Sequence, residues 1–270
     1  LNTSSKNKAP IGVFDSGIGG LTVANAIIGY LPKEQIIYFG DTAHLPYGDK
    51  SADAIRYYSL KIVKFLLEKR CKMIVIACNS ASSAAYNVLL DFFEGQTLFV
   101  NVVDPLVDAV VKKSYDQVGI IATKATIRSN IYKHKLLEAQ PSLKVQSLAT
   151  PLLAPMIEEG YCNDSISDAI IERYLSDPSL QHIDALLLAC THYPLIRKNV
   201  EAYFQNKVNV YDSTDVVAKV VEEKLAQFDL LNNGPPAPHQ FYVSDYTPSF
   251  EETTQVFYGK QIALEYCPIW

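Results

Sequence analysis

Short runs rich in Val, Ile and Leu recur along the chain, and each ends in a small or acidic residue before a more polar segment begins. They are IGVFDS (11–16), IIYFGD (36–41), MIVIAC (73–78), LFVNVVD (98–104), VGIIAT (118–123), VQSLAT (145–150), ALLLAC (185–190) and VNVYDS (208–213). Runs this apolar suit strands buried on both faces of a parallel sheet. Segments between them, such as 53–69, carry apolar residues at helical spacing with charges between, as the crossover helices of parallel strands do. The alternation predicts an α/β fold.

The runs also repeat at long range. IGVFDS aligns with VGIIAT at an offset of 107 residues, and MIVIAC with ALLLAC at an offset of 112. This predicts two similar lobes, each a mostly parallel sheet flanked by helices, with the site in the cleft between them. The first lobe is discontinuous, 1–103 plus 212–270, and carries Cys78; the second, 104–211, carries Cys190. A single eight-stranded barrel ranks second, because it gives no reason for a Cys-ending strand to recur at half-chain spacing. The tract NNGPPAP (232–238) reads as an exposed loop before a last strand near Phe241.

Composition narrows the class. The 270 residues are 49% hydrophobic and 20% charged, with a net charge of -5, which suits a globular protein with sizeable cores and disfavours a nucleic-acid binder. No apolar run is long enough to span a bilayer, and Leu1–Pro10 reads as a loose polar tail rather than a signal peptide, so a cytoplasmic location without membrane contact is expected. Cys71, Cys78, Cys162, Cys190 and Cys267 are an odd set with no CxxC pair, which points to reduced thiols and to neither disulfides nor a metal site.

Ligands of open parallel sheets sit beyond the carboxyl ends of the strands. The residues there are Asp15 and Ser16, Asp41, Cys78 with Asn79 and Ser80, Thr123, and Cys190 with Thr191 and His192. A lone strand-end Cys is usually a small buried hydrophobe. A matched pair in two similar halves is different: each precedes a predicted helix start, where free N–H groups and the helix dipole stabilise a thiolate. Two thiols facing one carbon, one ionised and one protonated, can take a proton from one face and return one to the other. That is a racemase or epimerase mechanism, and it needs donors for the developing carbanion in a dry cleft; Asn79, Ser80, Thr191 and backbone amides qualify.

The glycines of DSGIGGLT (15–22) fit neither a dinucleotide fingerprint nor a Walker loop, and suit amides approaching an anion such as a carboxylate. Asp15 beside them is also a candidate helix cap. His192, two residues after Cys190, is either a backbone-bonded histidine or a proton partner tuning that thiol. Pro46, Tyr47 and Gly48 form a turn that can clamp a ligand, His44 is a weaker candidate, and Glu158 with Glu159 would ordinarily be a solvated helix face.

The segments FDSGIGGLTV (14–23), FGDTAHLPYG (39–48), VIACNSAS (75–82), ATKATIRS (122–129), LLAPMIEEG (152–160) and LLACTHYPLI (187–196) resemble, in order, those of the glutamate racemases in the cofactor-independent aspartate/glutamate racemase superfamily. The resemblance covers most of the chain except about its last 30 residues. It implies interconversion of L- and D-glutamate without cofactor or metal, supplying D-glutamate for peptidoglycan. It further implies that Cys78 takes the proton from the D isomer and Cys190 from the L isomer, with Asp15 assisting Cys78, and Glu158 and His192 assisting Cys190. Substrate contacts carry over to Asp15, Ser16, Pro46, Tyr47, Gly48, Asn79, Ser80, Thr123, Thr126, Thr191 and His192. A homodimer and a peptidoglycan-precursor activator are further expectations. Ser80 departs from the usual threonine of that motif, keeping the hydroxyl and losing a methyl, which implies a slightly looser pocket. Two rival classes stand beside this reading: a two-lobed binding protein for a small acid, and an enzyme of another kind, an aspartate racemase or a hydrolase using Cys190 with His192.

Overall fold

A computed structural model describes residues 6–270; Leu1–Ser5, half of the tail read as loose, lie outside the described residues. The rest of that tail is tethered, with Pro10 buried and the Asn7 carbonyl accepting from Lys72 Nζ at 2.6 Å. The apolar runs form two separate, wholly parallel sheets rather than one barrel. The first has six strands, β1 (Ile11–Asp15), β2 (Ile36–Gly40), β3 (Met73–Ile76), β4 (Leu98–Asn101), β9 (Gln240–Val243) and β10 (Glu265–Tyr266), in the order β10-β9-β2-β1-β3-β4. The second has four, β5 (Gln117–Ala122), β6 (Lys144–Ala149), β7 (Ala185–Ala189) and β8 (Asn209–Asp212), in the order β6-β5-β7-β8.

The long-range repeat has a topological counterpart. β2-β1-β3-β4 and β6-β5-β7-β8 are the same permutation, with β1 equivalent to β5 and β3 to β7. Phe14 lies opposite Ile76 in one sheet and Ala122 opposite Ala189 in the other, so equivalent strands end level. β1, β2, β3 and β7 are buried along their whole length because helices cover both faces, which is why they read as unbroken apolar runs. The helix expected over 53–69 spans Ala52–Glu68, with Ser51 Oγ capping the Ala54 N–H and Ile55, Ile62 and Leu66 on its buried face. Helix Thr214–Gln227 packs on helix Leu21–Tyr30 beside the first sheet and on helix Val103–Val111. No helix among the described residues is long and apolar enough to cross a membrane.

Two expectations about the chain's end need correcting. The strand at Phe241 is not the last: β10 adds a two-residue exposed edge strand, too short to show a pattern. The tract at 232–238 is irregular, but Asn232 is buried, its N–H donating to Glu34 Oε1 at 2.8 Å.

Candidate active site

In each sheet the chain leaves one central strand to one side and returns on the other, so a crevice opens beyond the carboxyl ends of β1 and β3 and again beyond β5 and β7. The residues that follow these strands, Ser16, Cys78, Thr123 and Cys190, line one cavity of about 280 Å³. Of the site residues expected from sequence, Pro46, Tyr47, Gly48, Asn79, Ser80, Glu158, Thr191 and His192 line it as well. Asp15 and Thr126 do not; both are buried behind the wall.

Cys78 caps helix Asn79–Phe92, its sulfur accepting from the Ala81 N–H at 3.4 Å and lying 3.7 Å from Ser16 Oγ. The helix start expected to favour a thiolate is thus present, yet burial, reinforced by the charge of Asp15, pushes the Cys78 thiol up to about 12. Desolvation outweighs the amide and hydroxyl contacts that favour the thiolate. The surroundings of Cys190 also differ from expectation. Pro194 sits in a short 3₁₀ turn, Tyr193–Ile196, ahead of helix Arg197–Tyr203, and the sulfur's partner is His192 Nδ1 at 3.6 Å. His192 Nε2 in turn meets Glu158 Oε1 at 2.8 Å. Burial alone would depress the imidazolium, but the charges and hydrogen bonds of Cys190 and Glu158 hold it well above the ordinary histidine range. Glu158 thus faces His192 at the cavity wall, and not only the solvent that its position in the helix pattern suggested.

The glycine segment works differently from the anion cradle read in the sequence. Its amides turn inward: the N–H groups of Gly20 and Gly17 donate to Asp15 Oδ2 at 2.9 and 3.3 Å. Asp15 Oδ1 is buried with no partner among the described residues, and burial raises its carboxyl above the usual range against the pull of His192 and those amides. A Cβ on Gly20 would stand 2.6 Å from Asp15 Cβ, and one on Gly19 would overlap the His192 ring and come 2.8 Å from Thr191 Oγ1. At these two positions glycine is needed for close packing, against Asp15 on one side and against His192 and Thr191 on the other.

Hydroxyls and one amide join the two sheets around the cavity. Ser80 Oγ pairs with Thr123 Oγ1 at 2.9 Å and with Thr126 Oγ1 at 3.4 Å, and Thr22 Oγ1 donates to the Thr191 carbonyl at 2.9 Å. The Tyr132 hydroxyl donates to Asn79 Oδ1 at 2.5 Å, which fixes the amide so that its buried, unpartnered Nδ2 stays available as a donor. Tyr47 donates to Asp41 Oδ2 at 2.6 Å, and burial together with that carboxylate keeps its phenol protonated. At the rim Lys124 pairs with Asp49 at 3.2 Å.

Sequence reasoning missed Thr150, whose Oγ1 lies 2.7 Å from the Tyr193 hydroxyl on the cavity wall. It ends the β6 run just as Thr123 ends β5, a signal that could have found it. Tyr132 and Lys124 carry no such signal. Among the described residues all five cysteines are free thiols, and no group of three or more His, Cys, Asp or Glu is arranged to hold a metal ion.

Residues 21–221 match the Asp/Glu/Hydantoin racemase family. Glutamate racemase from Chlorobaculum tepidum is 39% identical over 257 residues, 94% of each chain. The crystal structure of glutamate racemase from Francisella tularensis in complex with D-glutamate superposes with a TM-score of 0.92 at 35% identity, covering 97% of this chain and 98% of that one. The Escherichia coli enzyme, in complex with L-glutamate and the activator UDP-MurNAc-Ala, gives a TM-score of 0.77 at 25% identity over 91% of this chain and 92% of that one. On these grounds the chain belongs to the Asp/Glu/hydantoin racemase family, among its glutamate racemases.

Proposed function

We propose that the chain racemises glutamate without a cofactor by a two-base mechanism, Cys190 removing the α-proton of the L isomer while Cys78 protonates the opposite face, and the reverse for the D isomer. The observation that carries this reading is that Cys78 and Cys190, from equivalent strand ends of two repeated sheets, line the same small cavity. We take 1–103 with 212–270, and 104–211, as the two lobes that bring the thiols to it. His192, hydrogen-bonded to Glu158, holds a proton beside Cys190. Asp15 lies behind Ser16 on the Cys78 side and sets the charge that thiol feels. The Asn79 amide, Ser16, Ser80, Thr123 and Thr191 hydroxyls and nearby amides bind the carboxylates and stabilise the carbanion as it forms, in a cleft where few waters compete. Thr126 acts through Thr123 and Ser80.

The D-glutamate formed supplies peptidoglycan synthesis, and a reaction that needs two reduced thiols belongs in the cytoplasm. Incubation with L-glutamate in D2O, with no cofactor, should bring deuterium into the α-position while optical rotation decays to zero. Cys78→Ser and Cys190→Ser should each abolish racemisation, and full turnover in both would sink the two-base assignment. Running the assay with and without UDP-MurNAc-L-alanine tests for activation of the kind known in the E. coli complex. We also propose a homodimer; sedimentation at assay concentration showing a single-chain species would overturn it.

A further inference from the structure

The turn that carries Pro46, Tyr47 and Gly48 over the cavity is held from behind by side chains that the reaction does not use. Its backbone bonds are local: His44 N–H to Asp41 O at 3.2 Å, Asp49 N–H to Pro46 O at 3.4 Å and Lys50 N–H to Tyr47 O at 3.1 Å. Beyond the strand-end bond from the Asp41 N–H to the Asp15 carbonyl at 3.0 Å, its position relative to the sheet therefore depends on side chains. Asp41, fully buried, accepts from the Tyr47 hydroxyl at 2.6 Å, from Ser244 Oγ at 2.7 Å and from His44 Nδ1 at 2.9 Å. His44 lies flat on Tyr58, ring centroids 4.1 Å apart and planes 20° from parallel. Trp270 closes the other side, meeting His44 edge-on at 4.3 Å and Tyr58 edge-on at 5.3 Å. Tyr58 is itself 5.7 Å from the Tyr47 ring. Two routes thus run from Trp270 to Tyr47, one through His44 and Asp41 and one through Tyr58, although Trp270 does not line the cavity.

We propose that Trp270 is a positioning residue for the reaction: with Tyr58 it clasps His44, and through Asp41 and Tyr47 it holds the Pro46–Gly48 turn in its substrate-binding place. A turn ordered before the substrate arrives does not have to be ordered at the expense of binding energy, so loosening the clasp weakens binding and leaves the chemistry at Cys78 and Cys190 intact. Trp270 is partly exposed at the molecular edge, so its removal leaves no large internal void. The inference rests on the reading that this cavity takes glutamate.

The test is steady-state kinetics in both directions for the full chain and its Trp270→Ala and Trp270→Phe variants. Loss of the edge-on contacts should raise KM for L- and D-glutamate alike by about three- to tenfold, with kcat within about twofold of the unaltered chain, and phenylalanine should restore most of the loss. Trp270 is also the sole tryptophan, so its emission should change when the unaltered chain is saturated with D-glutamate. KM values in Trp270→Ala equal to those of the unaltered chain, a loss confined to kcat, no recovery with phenylalanine, or an emission indifferent to saturating glutamate would each overturn the clasp. If instead the unaltered chain fails to racemise glutamate, the functional reading itself is what fails.

Discussion

Replacing Cys78 by serine and titrating both proteins isolates the thiol whose ionisation the structure makes most difficult. Burial and the neighbouring Asp15 push Cys78 up to about 12. At about pH 8 that leaves a gap of about four pH units, so about one sulfur in 10,000 is ionised and forming the thiolate costs about 5 kcal/mol. The sign follows from the cause: desolvation disfavours the charged form, and the neutral thiol persists as pH rises through the ordinary cysteine range. Ultraviolet thiolate absorbance of the unaltered chain minus that of Cys78→Ser should therefore stay flat up to about pH 10, with circular dichroism confirming that both remain folded. Asp15→Asn should move the titration downward only in part, because burial is the larger cause. A difference titration centred at or below about 8.5, the ordinary thiol value, would refute the claim that desolvation outweighs the helix N-terminus at this site.

Three further outcomes are expected. Glu158→Gln removes one of the two charges that raise His192, so the imidazolium should be lost at lower pH and the alkaline limb of the kcat profile should move toward acid; an unmoved limb counts against that coupling. Gly19→Ala forces the His192 ring aside and should lower kcat more than it lowers thermal stability, which melting curves run beside the assay will decide. Far from the site, Lys72 Nζ is bound by Glu34 at 2.6 Å and by the Leu230 and Asn7 carbonyls, with both side chains nearly inaccessible. Lys72→Met strands that carboxylate and should cost about 3–5 kcal/mol in denaturant unfolding, with Lys72→Met/Glu34→Gln recovering part; a loss below about 1 kcal/mol would show the pair to be dispensable.

The strands were legible because parallel sheets covered on both faces leave continuous apolar runs, and the equivalence of β3 and β7 was legible because the same Cys-ending run occurs twice. β10 was not, being two exposed residues paired only at the sheet edge. Within the site, strand-end residues could be found by position alone, but their electrostatics could not. Cys78 and Cys190 look alike as strand ends, yet Cys78 is buried beside Asp15 while Cys190 meets His192, whose partner Glu158 lies 34 residues from that histidine along the chain. The glycines misled for a similar reason: Gly20 and Gly17 do present their amides to a carboxylate, but it is that of Asp15 in the same segment. Asp41, noted only as a strand end, gains meaning from Ser244, about 200 residues on.

The unequal surroundings of the two thiols cannot favour one enantiomer at equilibrium, because L- and D-glutamate have equal free energy in water and kcat/KM must be the same in both directions. What the asymmetry can set is which sulfur holds the proton when the substrate arrives. Cys78, buried beside Asp15, is the thiol that keeps its proton, and His192, stabilised as an imidazolium by Cys190 and Glu158, puts a positive charge beside the other sulfur. That division of charge suits the proposed removal of the L-isomer proton by Cys190. The D isomer needs the opposite division, so the about 5 kcal/mol held against a Cys78 thiolate must be offset when the substrate binds. A repeated fold thus holds two chemically unequal thiols, and the inequality lies in the residues behind them: a carboxylate turned inward by glycine amides on one side, and a histidine hydrogen-bonded to a glutamate on the other.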